Sequence, residues 1–345
     1  MMKGLRFSQT LFSGPAKSMR LPRKSRAYSS SAYEVFDRNI KTVQRNRAAR
    51  NIEGSRNVEY IKDEIALRTA ERLAFISRNF ENVLDLGSGA GNLEKIICDP
   101  NTPDSDLIQS RLGEVTMLDS SENMLFRDSD PTQYPFNSKL SVKRVVADEE
   151  TFEHPVFQPN TFDAVLSSMS MHWINDLPGV LKGIERILKP DGMFMGNMIG
   201  GDTLYELRTS LQLAEMELYG RVSPRLSPLA DVRDMGALLQ QAKFNLLTVD
   251  VDDIIVNYPD MFALLEDLQA MGESNAVKIR PATIPRDMLM AANAIYKSMH
   301  GDEDGTIPAT FRVIYMIGWK SSPNQQKPLE RGSGQVNLKD ILPQL

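Results

Sequence analysis

Residues 83–92 read VLDLGSGAGN. Val83, Leu84 and Leu86 are an apolar run around Asp85, and Gly87, Gly89 and Gly91 follow at alternate positions. This pattern predicts a buried strand that ends in a glycine turn and opens a helix. Without a Cβ, the turn lets a ligand lie against bare peptide groups, and the helix start offers unpaired N–H groups. A dinucleotide loop would read G-x-G-x-x-G. The G-x-G-x-G spacing, preceded by Asp85 and carrying Ser88, suits a cofactor with an amino-acid tail and no pyrophosphate.

Further strands follow at 114–118, 142–147, 162–166 and 193–199. They end in or lead to Asp119, Asp148 and Ser167. Helical stretches lie between them, and residues 98–111, polar with two prolines, read as a surface loop. Pro190-Asp191-Gly192 reads as a turn between a helix at 177–188 and the fifth strand. Strands alternating with helices imply right-handed crossovers and a parallel sheet covered on both faces. Ligands bind such sheets at the carboxyl ends of the strands, and the candidate residues all fall there. Asp119 suits a ribose diol, because one carboxylate accepts from both hydroxyls. Asp148 suits an adenine amino group. Ser167 completes the cofactor-binding set Asp85, Gly87, Ser88, Gly89, Gly91, Asp119, Asp148 and Ser167.

His172 and Trp173 follow the fourth strand and are the candidates for chemistry, with Trp173 read as pocket wall. Asp176 reads as a helix cap, Arg221 and Arg225 as surface charges that could recognise an acid, and residues 272–275 as a turn. The three histidines, His154, His172 and His300, show no H-x-D or H-x-E pattern, so no metal triad is visible.

Beyond the fifth strand, residues 202–242 are helical with a break at 221–230. Strands are expected at 244–256 and 309–319, and helices at 262–271 and 286–299. Upstream, residues 33–50 read as an amphipathic helix that docks through Phe36, Ile40 and Val43 and leaves its basic face in water, with a pocket lid or a partner-binding helix as the alternatives. Residues 57–79 read as a second helix. Residues 1–28 hold seven lysines and arginines and no acid, with frequent serines, the signature of a mitochondrial transit peptide. One cysteine in 345 residues excludes a disulfide framework, and the net charge of −5 argues against nucleic acid. No run of about 18 apolar residues is present, so any membrane association would be peripheral.

VLDLGSGAGN, Asp119, Asp148, FDAVLSS and LKPDG together resemble the seven-stranded S-adenosylmethionine-dependent methyltransferases. The resemblance implies an α/β fold with a doubly wound seven-stranded sheet, its last strand antiparallel, preceded by N-terminal helices and carrying a helical insertion after strand five. It sets the glycine loop under the methionine part, Asp119 on the ribose and Asp148 near the adenine. The expected division is a transit peptide at 1–28, N-terminal helices at 29–80, a methyltransferase-fold domain at 81–320 with a helical lid at 202–242, and a polar tail at 321–345.

VFDRNIKTVQRNRAA, SMHWINDLPG, RVSPRLSPLADV, VNYPDMF, DLQAMGESNA and PATFRVIYMIGWK resemble a mitochondrial family of respiratory complex I assembly factors. More weakly, the chain is similar to the methyltransferase of biotin synthesis that acts on a carrier-bound malonyl ester. The closer resemblance implies hydroxylation of an arginine in an iron–sulfur subunit of complex I, by an oxidant it does not name. It also implies a location in the matrix, peripheral to the inner membrane, with other assembly factors as partners. The alternatives are methyl transfer to a small acid or carrier-bound ester, and a non-catalytic assembly chaperone that keeps the cofactor as a structural ligand.

Overall fold

The computed structural model describes residues 34–326 and 331–334. The expected transit peptide and most of the polar tail lie outside them. Helices α1 (Arg38–Arg50), α2 (Ile52–Asn57) and α3 (Tyr60–Ala74) precede strand β1 (Phe80–Leu86). Then come α4 (Asn92–Ile97), α5 (Ser105–Arg111), β2 (Leu112–Asp119), α6 (Glu122–Arg127), α7 (Phe136–Lys139), β3 (Ser141–Val146) and β4 (Phe162–Ser168). The second half runs α8 (Leu177–Ile187), β5 (Leu188–Ile199), α9 (Tyr205–Tyr219), α10 (Val232–Gln241), β6 (Phe244–Tyr258), α11 (Met261–Ala270), α12 (Arg286–His300) and β7 (Ile307–Lys320).

The seven strands form one sheet in the order β3-β2-β1-β4-β5-β7-β6. β1 to β5 are mutually parallel, and β7 runs antiparallel to both β5 and β6. This is the doubly wound arrangement expected, with the last strand reversed. The order reverses between β1 and β4, so the carboxyl ends of those strands open a crevice.

Each helix follows from its pattern. In α8 the buried residues are Leu177, Val180, Leu181, Ile184 and Ile187, and Asp176 accepts from the Gly179 N–H as its cap. These side chains join Leu84, Val165 and Phe194 on one sheet face. α3 and α4 cover the other face through Ala70, Leu73, Leu93 and Ile97. A third cluster sets α9, α11 and α12 against the edge formed by β6 and β7, with Ile61 and Ile65 of α3. Tyr296 is fully buried there, and its hydroxyl donates to the Pro308 carbonyl at 2.7 Å. Tyr296→Phe keeps the packing and removes one buried bond, so urea denaturation should show a loss of about 1 kcal/mol.

Three local expectations change. Residues 98–111 are a loop only as far as Asp104; Ser105 and Ile108 are buried and the segment closes as α5. The helix expected over 57–79 is broken at Val58 and Glu59 into α2 and α3. Pro190-Asp191-Gly192 is no free turn. α8 runs directly into β5, and Asp191 at φ 65° lies where the register with β4 shifts. The chain gains strand pairing on both sides of that irregularity, which outweighs the local turn preference.

α1 docks the opposite way to its sequence reading. Val43, expected to face inward, is 61% exposed. Lys41 and Arg45, from the basic face, are buried at 3% and 8%. Only Phe36, just ahead of the helix, packs as expected, edge-on to Trp173. The helix lies across the carboxyl ends of the strands, where Asp119, Asp148 and Glu149 supply negative charge. A buried cation needs such partners and an exposed valine costs little.

Candidate functional site

The glycine loop leaves β1 as predicted. Gly87, Gly89 and Gly91 have φ of 78°, 61° and 94°. Ser170, beyond β4, closes over the loop, and a Cβ at Gly87 would lie 2.0 Å from its Oγ. The Gly87 and Ser88 N–H groups both donate to the Leu118 carbonyl, tying the loop to β2. Ser167 donates to the Leu86 carbonyl at 2.8 Å, so its hydroxyl holds β1 to β4. The Ser88 hydroxyl is buried with no partner.

Asp85 lies under the loop with both carboxyl oxygens buried and without a well-formed hydrogen bond. Burial, and then the neighbouring Glu94, push its pKa well above the usual carboxylate range. Asp119, the last residue of β2, is fully buried. Its Oδ2 accepts from the Gly89 N–H at 2.9 Å and from Arg45 Nη2 at 2.7 Å, and its Oδ1 from the Ser121 N–H at 2.7 Å. Asp148, two residues past β3, is half exposed and accepts from Arg38 at 2.9 Å. It borders a cleft of about 250 Å³ with Asn39, Thr42, Ser120 and Ala147. The sequence-derived acids thus gather along one sheet edge, and α1 lies over them with a cation on each of two.

His172 and Trp173 form a 3-10 turn after β4 and are buried. Their common partner is Glu273. Trp173 Nε1 donates to Glu273 Oε2 at 2.6 Å, and His172 Nε2 lies 3.4 Å from the same oxygen. Burial lowers the His172 pKa, so the ring is neutral at pH 7. Lys62 Nζ is 4.0 Å from Glu273 Oε1. Lys41 and His172 hold the Glu273 carboxyl far below its usual range in spite of burial. Lys41 reaches in from α1. Its ammonium donates to the carbonyls of Gly272 (3.1 Å) and Ser274 (2.8 Å) and sits 3.4 Å from the Trp173 ring centroid.

Glu273, Trp173, His172 and Lys62 form the polar end of a cavity of about 250 Å³. Most of the remaining lining residues are apolar, Met169, Leu207, Leu211 and Phe311 among them. Arg225 also lines it, but its guanidinium is paired at 2.9 Å with the buried Glu215; Arg221, by contrast, is surface. Arg208 lines it too and donates to the Ser227 carbonyl. Among the described residues no group of three or more His, Cys, Asp or Glu is placed to hold a metal ion.

Glu273, Lys41 and Arg45 were not singled out from the sequence. Glu273 sits in a stretch that reads as a simple turn. The one available signal was the basic set Arg38, Lys41 and Arg45, spaced i, i+3 and i+7 along one helix face.

A family model for a methyltransferase domain matches residues 57–249. The chain is 47% identical over 313 residues to "Arginine-hydroxylase NDUFAF5, mitochondrial" of Homo sapiens, covering 91% of this chain and 85% of that protein. It is 37% identical to the protein of the same name in Dictyostelium discoideum, over 92% of this chain and 73% of the relative. A malonyl-[acyl-carrier protein] O-methyltransferase of Gallionella capsiferriformans is 29% identical over 82% of this chain and 92% of its own length. The glycine loop, the reversed last strand and these relatives agree: the chain is a mitochondrial protein built on a methyltransferase domain and belongs to the NDUFAF5 arginine-hydroxylase family.

Proposed function

We propose that this chain hydroxylates an arginine side chain in an iron–sulfur subunit of respiratory complex I. The work is done in the mitochondrial matrix, at the inner-membrane face, alongside other assembly factors. The observation that carries the reading is the carboxylate of Glu273, held ionised on the wall of the cavity beside the Trp173 indole. A buried anion next to an aromatic face is the chemistry that receives a guanidinium. The chain's part is to orient that side chain and keep water from it. The apolar wall of Met169, Leu207 and Phe311 does the second. Among the described residues no helix is long and apolar enough to cross a membrane.

The residues at the sheet edge fit S-adenosylmethionine. A carboxylate offers about four acceptor positions. Two backbone N–H groups and Arg45 use three at Asp119, so release of Arg45 leaves two open for a diol. The unpartnered oxygens of Asp85 lie under the loop where an amino-acid tail would rest. When bound, this cofactor supplies an activated methyl group. Gly89→Ala places a side chain in left-handed backbone, with Arg45 at 3.5 Å as its nearest neighbour. It should cost about 1–2 kcal/mol and weaken S-adenosylmethionine binding in calorimetry. Unchanged affinity in the folded variant would remove the loop from the assignment.

Mass spectrometry of arginine peptides from the iron–sulfur subunits, with and without this chain, tests the main reading. A peptide one oxygen heavier is expected. A second reading, methyl transfer to a small acid or carrier-bound ester, is favoured by Arg208, which lines the cavity with no carboxylate in ion-pair reach among the described residues. It predicts a product one methyl heavier. Unchanged masses, with complex I still lost on deletion, would leave a chaperone.

A further inference from the structure

We propose that Trp173, Glu273 and the carbonyls of Gly272 and Ser274 form the seat of the substrate's guanidinium, and that Lys41 of α1 fills this seat as an internal stand-in until substrate displaces it. The proposal rests on the hydroxylase reading and names the residues that recognise its substrate.

The seat is built for a cation. Two carbonyl oxygens and an indole face converge on one buried point, and the Glu273 carboxylate, bonded to the edge of the same indole, adds its negative charge from beyond ion-pair reach. It is also continuous with the cavity, since Trp173, Glu273 and Ser274 line both. The present occupant fits poorly. An ammonium is a compact, strongly hydrated point charge, and burial pulls Lys41 from 10.5 down to about 7. A guanidinium keeps its charge when buried, lies flat on an indole and presents five donors. It would satisfy the same carbonyls and stack on the same ring at a lower cost of desolvation.

The occupant can leave. The first three turns of α1 are held through polar contacts, Arg38 to Asp148 and Glu149, Lys41 in the seat, and Arg45 to Asp119, while its last turn packs Ala48 and Ala49 against Ala90 and Met124. Lys41 and Arg45 are one turn apart on the same face. A ribose diol taking Asp119 must displace Arg45, and the helix that carries Arg45 also carries Lys41. Filling the cofactor site therefore loosens the stand-in at the substrate site. α1 is then a strap whose basic residues imitate ligands at both sites, which accounts for its charged face being the buried one.

Trp173 and Trp319 are the only tryptophans. In a full-length Trp319→Phe background, Trp173 fluorescence therefore reports the seat alone. Nα-acetyl-arginine amide is the probe, and the matching citrulline amide is its neutral isostere. Lys41→Met should bind the arginine probe about tenfold or more tightly than its parent, and neither should respond to citrulline. Lys41→Arg should bind the probe about tenfold more weakly than the parent, because a better stand-in fills the seat; this arm stands even if the methionine variant fails to fold. Equal affinities in parent and both variants, or equal responses to arginine and citrulline, would overturn the proposal. Probe binding without oxygen on the subunit's peptides would sink only the hydroxylase reading. Oxygen on those peptides with no probe response in folded Lys41→Met would sink only the seat.

Discussion

Glu273→Gln is expected to destabilise the protein by about 3–5 kcal/mol, the usual cost of removing one partner from a buried ion pair. It should also abolish arginine hydroxylation. Among the described residues the carboxylate is the only anion in ion-pair reach of Lys62, and it is the largest favourable influence on the charge of Lys41. Glutamine keeps the shape and can still accept from Trp173 Nε1, so the loss isolates the charge. The sign with pH follows from the depressed Glu273 pKa. In wild type the contribution is full above the unfolded carboxylate pKa of ~4.3 and is lost as pH falls below it. The glutamine variant lacks that dependence and holds Lys41 lower still, so the gap between the two proteins should widen from pH 7 towards ~4.3 and narrow only below it. Urea denaturation of both at pH 7 and in acid checks this. A gap that is small at pH 7, or that does not narrow below pH ~4.3, would show that the buried cations draw their compensation from elsewhere.

The second large effect is expected at Asp119. Asp119→Ala leaves the Arg45 guanidinium buried without its carboxylate and two backbone N–H groups without an acceptor. A loss of about 3–5 kcal/mol follows, together with loss of S-adenosylmethionine binding. Arg45→Met should act oppositely at the ligand. It removes the competitor, leaves Asp119 with its two backbone donors, and should tighten cofactor binding in calorimetry. Combining the two changes should recover part of the stability lost in Asp119→Ala, because no buried charge is then left unpaired. If Arg45→Met weakens cofactor binding instead, Arg45 contacts the cofactor directly and α1 is a lid rather than a competitor.

Much of the sheet was legible because its signals are local. Apolar runs of strand length, the glycine spacing after Asp85 and acids at successive strand ends can be read without knowing what lies opposite. Asp176 as a cap was legible for the same reason, since a cap and its acceptor are three residues apart. The misreadings have one physical origin. A Pro-Asp-Gly run states a local preference, and it survives only as an irregularity at 190–192, because pairing with β4 at Leu188 and with β4 and β7 from Met193 on carries the strand past it. An amphipathic pattern gives two faces but does not say which one meets water.

By itself, the sequence determined the strands and the glycine loop, because these depend on neighbours within a few residues. Only the tertiary structure decided what faces that loop. Arg45 meets Asp119 across 74 residues, and Lys41 meets Ser274 across 233. The basic face of α1 turned inward because carboxylates from distant segments converge on the sheet edge, and a cation is buried only where such partners wait for it.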